Sequence, residues 1–172
     1  MPVAVLDATA EPEQIERLLG AARRTIAGVR YCWAVTAAED GGANARIVLP
    51  FAGAHGEDEW TRWFLTKRGS RKAAEIGRSG RITLAYQHDS GDAYVALAGR
   101  AIVVEDQATL RHYWQPTWDA FFPAGFAESN MVAVMLEVER IEIHARGVTP
   151  EPFGFGRTLI ERDRDGSWGL VA

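Results

Sequence analysis

The stretch Trp63-Phe64-Leu65-Thr66-Lys67-Arg68-Gly69-Ser70-Arg71-Lys72 joins an apolar, strand-like run through a glycine turn to the opening of a short helix. Ser70 is a favoured N-cap, and the helix turn behind it leaves N–H groups unpaired at the positive end of the helix dipole. Arg71 and Lys72 add full positive charge where an anion binds best, the arginine as a two-pronged fork and the lysine as a mobile point charge. From Arg62 to Arg81 there are seven Lys/Arg against one acid, Glu75, so this segment carries about +6 while the remaining residues carry about −10. Such a cluster reads either as a phosphate cradle or as a solvated basic face.

The chain around it has 172 residues, 47% of them hydrophobic and 24% charged, which is enough for one globular domain with its own core. A formal charge of −4 argues against nucleic acid as the main partner, because such binders carry a basic excess over a whole face. One small basic patch suits a small anion better. The aromatic-rich segment of the chain is not basic, which also speaks against a stacking platform for single strands. The single cysteine, Cys32, sits in an apolar run and excludes an internal disulfide, so a reducing, cytoplasmic setting is expected. Met1 to Asp7 carries no basic region ahead of an apolar one, and no window approaches 18 uncharged apolar residues, so neither export nor a membrane span is expected.

Residues 11–28 read as an amphipathic helix, with Pro12, Glu11, Glu13 and Glu16 early, Arg23 and Arg24 late, and Gly28 at the end. Its apolar stripe is Ile15, Leu18, Leu19, Ala22 and Ile26. From Val29 the period changes: Tyr31–Thr36, a Glu39-Asp40-Gly41-Gly42 turn and Ala43–Phe51 form a hairpin. Arg46 lies in its second arm ahead of Ile47, Val48 and Leu49. Taken alone, it is as readily an edge-strand arginine in solvent as a functional residue.

Strands follow at Trp60–Thr66 and Arg81–Gln87, separated by a short helix ending near Ile76 and a Gly77/Gly80 turn. His88-Asp89-Ser90-Gly91-Asp92 reads as a hydrophilic turn and has no metal-ligand spacing. A long strand, Tyr94–Glu105, has Gly99 at a place where a bulge or bend would let a barrel curve. Tyr113, Trp114, Trp118, Phe121, Phe122 and Phe126 then crowd a segment broken by Pro116, Pro123 and Gly125. Met131–Arg146 alternates as one long bent strand or a pair, and an Asp-Gly hairpin signal lies between Thr158–Glu161 and Trp168–Val171. Short strands around helical insertions imply an antiparallel barrel with helical additions.

The order Phe64-x-Thr66-x-x-Gly69-Ser70-Arg71-Lys72-Ala73, followed by the apolar run Arg81–Tyr86, resembles the FMN-phosphate segment of the pyridoxamine 5'-phosphate oxidase-like split barrels. The strand-Gly99-Arg100-Ala101-strand is similar to the matching place in that family. Trp114-x-x-x-Trp118-x-x-x-Phe122-Pro123-x-Gly125 resembles its general stress protein branch. The likeness runs over about residues 29–146, with 147–172 as a C-terminal extension of a single domain.

The resemblance implies a mainly β, α+β fold: a six-stranded antiparallel split barrel with an N-terminal helix and short additional helices. It implies a homodimer with FMN at the interface, the ribityl phosphate held by Thr66, Ser70, Arg71 and Lys72, with Leu65 also in contact. Arg46, Ile47, Val48 and Leu49 would lie along the isoalloxazine. Tyr94 stands where the family places a polar contact to the flavin. Trp118 and Phe122 either cover the partner's flavin or are ordinary aromatic packing. His144 is a candidate haem ligand, or a structural histidine. No role falls to Trp168 or Arg157.

The expected activity is that of a flavin-dependent oxidoreductase of unstated substrate. The alternatives are a non-catalytic flavin-binding stress protein and a split barrel that takes deazaflavin or haem. The absence of an Arg-x-His constellation speaks against pyridoxamine-phosphate oxidation itself.

Overall fold

The computed structural model describes residues 10–120, 122–127, 129–155 and 158–171. The segment Met1–Asp7, Phe121 and Arg157 lie outside the described residues. The described residues form three α-helices and nine strands in the order α1 (Ala10–Ala27), β1 (Cys32–Ala37), β2 (Ala43–Val48), β3 (Phe51–Ala52), β4 (Arg62–Lys67), α2 (Arg71–Ser79), β5 (Arg81–His88), β6 (Ala93–Val104), α3 (Gln107–Tyr113), β7 (Met131–Ala145), β8 (Leu159–Arg162) and β9 (Trp168–Leu170). The strands belong to one sheet of order β2-β1-β5-β6-β7-β4-β3, with β8 paired to β7 and β9 paired to β8. This is a split-barrel-like α+β fold, mainly antiparallel β with an N-terminal helix and short helices.

The six strands expected for the barrel are β1, β2, β4, β5, β6 and β7, and the predicted Asp-Gly hairpin forms β8 and β9. The two-residue β3 is separate from β2, where the sequence predicts one arm from Ala43 to Phe51. Pro50 separates them because it has no N–H to give to a ladder. Met131–Ala145 is one continuous strand and not a pair.

The described residues divide into two compact units. In residues 31–84 and 98–138, β1 and β2 form an antiparallel hairpin from Cys32↔Val48 to Ala37↔Ala43, and β4 pairs antiparallel with β7 from Arg62↔Leu136 to Lys67↔Met131. Its core includes Ala34, Phe64, Leu84, Val132, Val134 and Leu136 from the strands and Ile76 from α2, all buried. Trp63, Leu110 and Ala133 form a cluster with Phe51, Leu65, Tyr113 and Phe126 packed on it.

The other unit comprises residues 10–30, 85–97 and 139–171. Here α1 buries Leu18, Leu19, Ala21 and Ala22 and packs against β9, while Ile15 and Ile26 are half-buried at the margins of the predicted stripe. β7 pairs with β8 from Arg140↔Glu161 to Glu142↔Leu159, which buries Ile141, Ile143, Leu159 and Ile160.

Candidate functional site

The N-terminus of α2 is built from its own sequence. Ser70 is extended (φ −72°, ψ 146°) and its Oγ accepts from the Ala73 N–H at 3.3 Å, so the expected N-cap is formed. At the other end Gly80 adopts φ 65° and its N–H reaches the Ile76 carbonyl at 2.7 Å, closing the helix three residues beyond Ile76. β4 delivers Thr66 to the same place: its Oγ1 lies 3.1 Å from Ser70 Oγ and accepts from Lys72 Nζ at 3.0 Å. Thr66, Ser70 and Lys72 are thus one hydrogen-bonded group. Burial lowers the Lys72 pKa first and the nearby Arg46 charge lowers it further.

Arg46 approaches from β2, and its side chain is not free in solvent. Its Nη2 donates to Glu75 Oε2 at 2.6 Å, and its Nη1 donates to the Asn44 carbonyl at 3.0 Å and to Thr36 Oγ1. Glu75, 4% exposed, accepts as well from Thr36 Oγ1 at 2.5 Å and Asn44 Nδ2 at 2.7 Å, with Arg71 Nε 3.6 Å away one helical turn earlier. The Thr36 hydrogen bond, then Arg46, hold the Glu75 carboxyl at a pKa of about 2, against the opposing effect of burial. With Arg46, Arg71, Lys72 and the ionised Glu75, the end of α2 carries about two net positive charges, the amount that a phosphomonoester dianion neutralises. A cleft of about 400 Å³ opens alongside, lined by Asn44, Arg71, Glu75 and Arg78 and by the β1–β2 turn.

Three of the other cations of the basic segment are committed elsewhere. Arg62 donates to the Glu59 and Thr61 carbonyls at 2.7 and 2.8 Å, Arg68 pairs with Glu105, and Arg78 pairs with Glu39 at 2.6 Å. Glu75 was missed as a site residue. Its signals in the sequence were its solitude in a basic segment and its four-residue spacing from Arg71.

Along β2 the alternation puts Arg46 and Val48 on the face toward the protein and Ile47 on the other, with Ile47 57% exposed and Val48 buried. Leu49 is also exposed, and Leu65 packs beside Trp63, Leu110 and Ala133. Tyr94 belongs to the unit containing α1, where its hydroxyl donates to Asp89 Oδ1 at 3.3 Å and its ring lies 6.1 Å from Phe153. Trp118 is buried against Phe51 and Trp114, both 5.6 Å away between ring centroids. Phe122 is half-buried, 5.3 Å from Trp114. These rings pack within their own chain. His144 is half-buried, with Nε2 3.6 Å from Glu142 Oε1 and a buried Nδ1 that has no hydrogen bond among the described residues. His88 precedes a 3₁₀ turn, Asp89–Gly91, between β5 and β6.

Residues 20–146 match the family profile described as pyridoxamine 5'-phosphate oxidase like. The structure is similar to that of a protein related to general stress protein 26 from Clostridium acetobutylicum, at a TM-score of 0.66 and 17% identity over 76% of this chain and 90% of that one. It is also similar to a pyridoxamine 5'-phosphate oxidase-related, FMN binding protein from Nostoc punctiforme, at a TM-score of 0.61 and 15% identity over the whole of both chains. A third likeness is to PhzG from Burkholderia lata in complex with tetrahydrophenazine-1-carboxylic acid, at a TM-score of 0.62 and 18% identity over 98% of this chain and 97% of that one. No curated protein sequence matches significantly. At these identities the likenesses show the fold, whereas the profile covers well over half of the chain: this protein belongs to the pyridoxamine 5'-phosphate oxidase-like family.

Proposed function

We propose that the protein binds FMN and acts as a flavin-dependent oxidoreductase, as a homodimer with the flavin at its interface. The observation that carries this reading is the Thr66–Ser70–Lys72 group on the capped start of α2, beside Arg46 and Arg71. Its donors, its net positive charge and the helix dipole fit the ribityl phosphate of FMN. Thr66, Ser70, Arg71 and Lys72 would hold that phosphate, and the β2 segment Arg46–Leu49 would lie along the ring system, with Leu65, Tyr94, Trp118 and Phe122 as further candidate contacts. When bound, FMN supplies hydride or electron transfer. The chain's part is to anchor the phosphate, fix the ring's position and keep water from it. The exposed pair Trp33 and Ile47, 44% and 57% accessible and opposite each other on the β1–β2 hairpin, supports a second copy covering this face. No helix among the described residues is long and apolar enough to cross a membrane. The single cysteine, Cys32, buried and unpaired, is what supports a reducing, cytoplasmic setting in this reading.

The test is retention of FMN through gel filtration, read from the flavin's visible absorption bands. One FMN per chain is expected in the wild type. Each charge-assisted phosphate contact is worth about 1.5–3 kcal/mol, so Arg71→Ala with Lys72→Ala should weaken FMN by about two to four decades while the far-UV circular dichroism stays unchanged. Unchanged affinity in the double variant would overturn the placement. Bleaching of the bound flavin by NADH or NADPH, with recovery in air, separates a reductase from a protein that only stores the flavin.

A further inference from the structure

The unit containing α1 holds a second cavity, of about 220 Å³, formed among α1, the β5–β6 turn and the end of β7. One wall is small and apolar: Ala21, Ala93, Ala145 and Val148. The polar side is formed by Arg24, His88 and Arg146, with Thr25 donating its hydroxyl to its own helix at Ala21 O, 2.9 Å away.

These three basic side chains are not equivalent. Arg146 Nε donates to Asp92 Oδ2 at 2.7 Å, its guanidinium lies 4.8 Å from the Phe153 ring centroid, and Asp92 and then Glu151 raise its pKa, so its charge is already answered. Arg24 has no side-chain hydrogen bond or ion pair among the described residues, and neither has the His88 imidazole. The His88 imidazole lies over two glycines: a Cβ at Gly28 would come within 2.7 Å of its Cδ2 and Nε2, and one at Gly91 closer still to its Nδ1, so a larger residue at either position would push the ring aside.

An imidazole and a guanidinium, neither with a side-chain partner among the described residues, beside a small apolar wall make a receptor for one negative charge on a compact hydrocarbon body. The Asp92 and Glu151 carboxylates near Arg146 oppose a doubly charged phosphate. We propose that this cavity binds a small organic monocarboxylate, its carboxylate gripped by Arg24 and His88 and its aliphatic part lying against Ala93, Ala145 and Val148.

Isobutyrate, isobutyramide and inorganic phosphate can be titrated into the full chain while the imidazole resonances of its four histidines are followed by NMR. Isobutyrate is expected to shift His88 saturably and to leave His55, His112 and His144 in place. Isobutyramide should leave all four unmoved, and phosphate should bind more weakly than isobutyrate. Arg24→Gln, at an exposed position on α1, removes one charge-assisted contact and should weaken isobutyrate about ten-fold. Gly91→Ala, which displaces the imidazole, should abolish the shift in a chain whose circular dichroism is unchanged. The proposal is overturned by an equal response to the amide, by tighter binding of phosphate, by an unaltered affinity in Arg24→Gln, or by no saturable shift at all.

Discussion

At the residue scale, Glu75 is the group on which the candidate phosphate site turns. Its carboxylate takes hydrogen bonds from Thr36, Asn44 and Arg46, and these fix the outward limit of Arg46 and the charge left over for a ligand. A glutamate whose pKa falls from about 4.3 in the unfolded chain to about 2 in the folded one stabilises the fold above the first value. That contribution is lost as pH falls from the first value through the second. Urea unfolding followed between pH 6 and pH 2 should therefore show an acid loss of stability that is smaller in Glu75→Gln, and an identical pH profile in the two proteins would contradict the linkage. A second residue with a clear consequence is Glu57, which accepts from Trp63 Nε1 at 2.9 Å and from the Tyr113 hydroxyl, tying its loop to β4 and α3. Burial, then that hydrogen bond, push the Tyr113 pKa up to about 12. Glu57→Ala leaves the buried indole N–H of Trp63 without its acceptor and should cost about 1–3 kcal/mol in urea unfolding, with Glu57→Gln, which keeps an acceptor, losing less. None of these partnerships was legible in the sequence. Thr36 and Glu75 are 39 residues apart, and local pattern says nothing about which side chains a sheet and a helix bring together.

At the scale of the elements, local chemistry decided most of the outcome. Ser70 caps α2 as its side chain and position dictate, and the strand periods predicted β1, β2 and β4 to β9 within a residue or two, apart from the tail of β2. Where the expectation stopped short, one backbone conformation explains it. α2 runs on through Gly77 to Ser79 because Gly80, and not Gly77, takes the left-handed conformation that returns an N–H to Ile76 O. Ser70→Ala should consequently cost about 1 kcal/mol of stability, measured by thermal or chemical unfolding, because it deletes the acceptor for the Ala73 N–H. The same substitution strips Thr66 of its neighbour, so FMN retention should fall along with stability. A stabilised background that restores the lost stability without restoring FMN would show that the hydroxyl serves the ligand as well as the helix.

At the scale of the whole molecule, the question is what covers the face of the β1–β2 hairpin. β2 stands at the end of the strand order, and on this hairpin the alternation that buries Cys32, Ala34, Thr36 and Val48 turns Trp33 and Ile47 outward as a directly opposed pair. The sequence showed both strands but not this exposure, because period-2 reading assigns two faces without saying which neighbour each one meets. An exposed edge hairpin with an apolar face is a site for association unless something blunts it. A twofold dimer through this face would bury the same residues twice, once from each copy. Taking about 2 kcal/mol for the burial of Ile47 in each copy, Ile47→Glu should raise the dimer dissociation constant roughly a thousand-fold. Analytical ultracentrifugation of the two proteins with and without FMN reads this directly. A dimeric wild type beside a monomeric variant assigns the interface to this face, and loss of FMN from that variant is expected both from the lost interface and from the lost Ile47 contact to the ring. A variant that sediments as the wild type does moves the interface elsewhere, and a monomeric variant with undiminished FMN affinity confines the flavin to one chain and leaves the α2 cradle to hold it unaided.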